Sequence, residues 1–95
     1  MNKKPDHRAT FLETELSLCF FYVDLAARRL IAGNRELAEQ AIGSAEKGYG
    51  ELHRFLSDPK HGDQLTAAQV RELTAELQRL REWLDGFHNS MQVTT

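Results

Sequence analysis

The sequence predicts an all-α domain, a three-helix antiparallel bundle, and three observations carry that prediction. In three separate stretches the apolar residues recur at alternating intervals of three and four, the period of one face of a helix. Two breaks, "AGNRE" and "SDPKHGD", divide those stretches with the residues that end and cap helices. No segment alternates apolar and polar residues as a half-buried strand does.

The first helix is expected over about residues 10–32. Thr10 followed three residues later by Glu13 fits a capping box at its start. Leu12, Leu16, Cys19, Val23, Ala26 and Leu30 form its main stripe. Phe11, Leu18, Phe20, Phe21, Tyr22, Leu25 and Ile31 widen the apolar surface well past that stripe, so this helix reads as the central one. Gly33 suits the left-handed residue that ends a helix, and Asn34 suits the cap of the next. So tight a link predicts an antiparallel hairpin.

The second helix is expected over about residues 35–56. Its stripe is Ala38, Ala41, Ala45, Gly48, Leu52 and Phe55, and the first four are very small. Small side chains let two helix backbones approach closely, with Phe20, Phe21 and Tyr22 expected to fill the space across the seam. Glycine in a helix interior costs roughly 0.5–1 kcal/mol relative to alanine. Gly48 continues the small stripe, Gly50 suggests a bend or break near residues 48–50, and Gly43 has no packing reason.

Pro59 disfavours helix at Asp58, and Gly62 adds a turn signal. The third helix is expected over about residues 67–85. Thr66 and Gln69 form a second capping box, and Leu65 and Val70 stand where a hydrophobic staple clasps. Val70, Leu73, Leu77, Leu80, Leu84 and Phe87 make its stripe, opposite a mixed-charge face that reads as solvated. Gly86 is the expected stop. Residues 1–9 and 88–95 are read as flexible segments flanking one domain, 10–87.

Residues 22–50 resemble a single tetratricopeptide (TPR) helical hairpin. Tyr22, Leu25, Ala26, Gly33, Ala38, Ile42 and Ala45 match the residue types of that pattern, whereas Arg29 and Gly50 depart from it. The pattern has no second copy, which excludes a repeat array. The resemblance implies a protein-interaction module and supplies no binding residues of its own.

Composition narrows the function classes. Twelve Lys and Arg against 14 Asp and Glu give a net charge of −2, a poor footprint for nucleic-acid binding. Cys19 is the single cysteine, which fits a reducing compartment. The N-terminus has no signal-peptide pattern and no stretch is long and apolar enough for a membrane span, so a cytoplasmic location is expected. Phosphate loops, nucleophile elbows and zinc-protease motifs are missing from the sequence. Cys19 lies on the core stripe, where a thiol is inert. Asp85 and His88 have the i, i+3 spacing of two ligands, but Gly86 is expected to end the helix between them and the apolar stripes offer no further inward carboxylates, while Asp58, His61 and Asp63 read as solvated loop groups. No catalytic, cofactor-binding or metal residue is therefore expected. Asp24 either faces solvent through the one polar gap in the first helix or pairs with an arginine such as Arg28, four residues on. Glu46, Tyr49 and His53 share one flank of the second helix, and Trp83 sits at the margin of the third stripe. Candidate partner-binding residues are Tyr22, Arg29, Tyr49, His53 and Trp83. The sequence points to a small cytoplasmic interaction or adaptor domain without catalytic activity, with a protein partner or itself. The alternative is a structural homo-oligomer that buries first-helix surface. A metal protein or enzyme using the Tyr49/His53 face comes third.

Overall fold

The computed structural model describes residues 7–58 and 65–93, and three helices account for nearly all of them: α1 (His7–Ile31), α2 (Arg35–Ser57) and α3 (Ala67–Val93). No strand occurs among the described residues. The helices run up, down and up. α1 packs against both others, most extensively against α2. This is the all-α three-helix bundle that the periodicity predicts.

α1 starts three residues before Thr10, and the capping box expected there does not form. The Thr10 carbonyl instead accepts the Thr14 hydroxyl at 3.0 Å inside the helix. Ala9 supplies the reason: it is buried, and it extends the core stripe one turn N-terminal to Leu12. The link to α2 is as expected. Gly33 has φ +88°, its N–H donates to Leu30 at 3.0 Å, and the Asn34 N–H donates to Arg29 at 2.8 Å. That bond pair is a Schellman motif and satisfies the last carbonyls of α1. The Asn34 side chain then accepts the Leu37 N–H at 3.1 Å and caps α2.

The small stripe of α2 forms a close seam. Ala38, Ala41, Ala45 and Leu52 are buried along it. A methyl group placed on Gly48 would collide with Cys19 Sγ, so only glycine fits there with Cys19 where it stands. The three aromatics expected to fill the seam do otherwise: Phe21 is exposed, Phe20 faces α3, and Tyr22 lies at the core margin. With backbones this close, Cys19 and Ile42 suffice. The expected break near Gly48–Gly50 is absent, and α2 is one continuous helix to Ser57. Burying Leu52 on the same stripe outweighs about 1 kcal/mol per glycine.

At the start of α3 the Thr66 N–H donates to Gln69 Oε1 at 2.8 Å and the Gln69 N–H donates to Thr66 Oγ1 at 3.0 Å. This is the reciprocal capping box expected from the sequence. Gly86 does not stop α3, which runs on to Val93 in place of the loose tail expected from residue 88. Phe87 and Met91 carry the buried stripe past Leu80 and Leu84, while Gly86 points into open space. Pro59, His61, Gly62 and Asp63 lie outside the described residues, as do residues 1–6 and 94–95. The described core is wholly apolar apart from the Cys19 thiol, with no buried polar or charged residue.

Candidate interaction surface

α1 turns its main stripe inward and leaves a second apolar stripe outside. Phe11, Leu18 and Leu25 recur at intervals of seven, so they lie in one line along the helix, on its flank toward α2: Phe11 borders a groove with Leu52 and Phe55, and Leu25 packs against the core margin. Phe21 and Tyr22 flank that line. Phe11 is 57% exposed, Leu18 45% and Phe21 55%, whereas Leu25 and Tyr22 are half-buried. The Phe21 and Tyr22 rings meet edge to face at 5.7 Å. The Asp24–Arg28 ion pair forms at 2.9 Å on the border of this stripe, exposed to solvent. Scattered apolar side chains on a surface need no explanation, whereas a contiguous line of aromatic and leucine side chains makes this the candidate surface of the described residues.

Between α1 and α3, Phe20 and Trp83 meet edge to face at 4.8 Å, with the Arg79 guanidinium 5.8 Å from the Phe20 ring. A groove of about 450 Å³ lies on one side of this pair, between Glu13 and Leu16 of α1 and Glu72 and Glu76 of α3. A second, more apolar groove of about 320 Å³ lies on the other side, where Val23, Leu30 and Ile31 face Trp83 and Phe87. Glu76 is engaged by Arg79 at 3.3 Å. No cluster of three His, Cys, Asp or Glu among the described residues is arranged to hold a metal ion.

Polar side chains bridge α2 and α3. Tyr49 and His53 stack with centroids 5.9 Å apart and planes 23° apart. The Arg81 guanidinium lies 5.0 Å from the Tyr49 ring and donates to Asp85 at 2.8 and 3.1 Å. Its bond to Asp85 raises the Arg81 pKa. Glu46 of α2 pairs with His88 of α3. Asp85 and His88 are thus engaged by different partners, Asp85 by Arg81 within α3 and His88 by Glu46; the Glu46–His88 and Tyr49–Arg81 contacts form a strap between α2 and α3.

The structure does not gather the five candidate residues into one site. Tyr22 and Arg29 belong to α1, where Arg29 donates to the Leu37 carbonyl at 3.3 Å and braces the turn. Tyr49 and His53 belong to the α2–α3 strap, and Trp83 to the α1–α3 contact. Sequence reasoning did not single out the outward line Phe11–Leu18–Leu25, although its interval of seven was there to be read. It also missed Arg81, since a salt-bridging arginine on a polar face carries no local signal. Cys19 is buried and its thiol is pushed up to about 11, by burial first and then by the nearby carboxylates Glu15 and Glu51. That environment keeps it protonated at neutral pH and unsuited to nucleophilic work.

No helix among the described residues is long and apolar enough to cross a membrane. Comparison of this chain with protein-family models, with curated proteins and with solved structures gives no match.

Proposed function

We propose that this chain is a small protein-interaction module without catalytic activity, and that the outer face of α1 is its working surface. One observation carries the reading: Phe11, Leu18 and Phe21 stand about half exposed in one contiguous stripe on a helix whose other side is already committed to the core. Solvating that much aromatic and aliphatic surface costs about 25 cal/mol per Å², which association recovers. The likeness of residues 22–50 to a TPR hairpin points the same way, since such hairpins serve protein contacts. Tyr49, His53, Arg81 and Asp85 engage one another beside the α2–α3 contact, which favours a structural use of these side chains over a reaction. A cytoplasmic setting belongs to the same proposal and rests on the single, protonated cysteine.

A photo-crosslinking residue in place of Phe21, expressed in the native cell, tests the proposal. The expected result is a discrete covalent adduct of any mass, absent when the same group replaces exposed Glu72 on α3. Identical, diffuse labelling from both positions would remove the outer face of α1 as an interaction surface.

A further inference from the structure

We infer that the partner of this face is a second copy of the chain, joined through an antiparallel α1–α1 seam; the inference rests on the interaction-surface reading above. The outer stripe repeats with the seven-residue interval of a two-helix seam: Phe11, Leu18 and Leu25 along the middle, Thr14, Phe21 and Arg28 on one side, Glu15, Tyr22 and Arg29 on the other. Charge decides the occupant and its direction. Over residues 11–31, the N-terminal half of α1 carries Glu15 on this face, with Glu13 turned toward α3, and the last turn carries Arg28, already paired with Asp24, and Arg29, which has no carboxylate partner among the described residues. A parallel pair would set Arg29 beside Arg28 of the other copy and leave Glu15 beside Thr14 and Phe21, with no opposite charge in reach. An antiparallel pair about a two-fold axis at Phe21–Tyr22 sets each Glu15 beside Arg29 of the other copy. The same axis lays Leu18 on the other copy's Leu25 and each Phe21–Tyr22 pair on its twin. One register therefore satisfies the apolar and the charged residues together, as a self-complementary two-fold interface requires. Glu15 makes no ion pair among the described residues and stands half-buried at the edge of this face, beside Glu51 and Phe55 of α2. Arg29 gives one guanidinium N–H to the Leu37 carbonyl and keeps others to donate.

The seam is short, about 30 Å at 1.5 Å per residue, so the dimer is at the weak end of specific interfaces, with Kd on the order of micromolar.

Sedimentation equilibrium of the purified chain from about 1 to 100 μM, combined with cysteine cross-linking under mild oxidation, tests the inference. The expected result is a reversible monomer–dimer equilibrium. Phe21→Cys, next to the axis, should form a disulfide-linked dimer. Leu18→Cys should not link to itself but should link to Leu25→Cys when the two variants are mixed. Glu15→Arg should weaken dimerisation at least threefold, and Glu15→Arg with Arg29→Glu should restore it. Circular dichroism checks that each variant keeps its helices. A monomer at every concentration overturns the inference and leaves the in-cell adduct at Phe21 standing, which would assign the face to a different protein. Self-linking of Leu18→Cys overturns the antiparallel register.

Discussion

The two contacts that α1 makes with its neighbours are built on opposite plans. Against α2, alanines and a glycine bring the backbones so close that a single added methyl at Gly48 reaches Cys19. Against α3, leucines and the Phe20–Trp83 pair hold the helices further apart, and two grooves open beside them. Side-chain size along a seam thus sets both the spacing of two helices and what is left empty between them. A small-residue seam has no room to adjust; a large-residue contact has room in reserve.

Adding volume to each contact is the sharpest way to break this contrast. Ala45→Leu places a large side chain in the close seam and should destabilise the protein by about 1–3 kcal/mol, read by thermal or chemical denaturation. An unchanged midpoint would mean that the seam is not close-packed. Gly48→Ala is the finer probe. Helix propensity favours alanine by roughly 1 kcal/mol, while the collision with Cys19 costs more, so a net loss of about 1 kcal/mol is expected. Combining it with Cys19→Ala should recover much of that loss, a coupling on the order of 1 kcal/mol in a double-mutant cycle. Additive effects would show that the thiol is not what excludes a side chain at Gly48. The smallest change is expected in the other contact. Ala27→Leu, beside the 320 Å³ groove, should shift stability by no more than about 0.5 kcal/mol in either direction, as at a tolerant margin. A loss comparable to that of Ala45→Leu would erase the distinction between the two contacts.

The sequence carried the helices, both interhelical faces and the turn at Gly33–Asn34, because periodicity and capping are local signals. It misplaced the ends wherever a distant burial outweighed a local rule. Ala9 drew α1 back past a good capping box, and Met91 drew α3 on past a glycine. The same tension kept α2 continuous through Gly48 and Gly50. For the surface, over-wide apolar character in α1 was legible, but which residues stay exposed depends on where α2 and α3 settle. Phe20 and Phe21 are chain neighbours of equal hydrophobicity; one is half-buried on Trp83 and the other faces solvent, a 100° difference that only the packing decides.

The Schellman turn between α1 and α2 also sets an order of events in time. Closing a link of three residues, Ala32 to Asn34, sacrifices little chain entropy, so α1 and α2 meet early and their small-residue seam forms at low kinetic cost. α3 joins across the longer stretch from Ser57 to Ala67 and is expected to dock on that hairpin, read as a later protection of its amides in pulsed hydrogen exchange. The bundle therefore assembles as a pair plus one, and the helix that arrives last is also the one whose removal would leave the outer stripe of α1 intact.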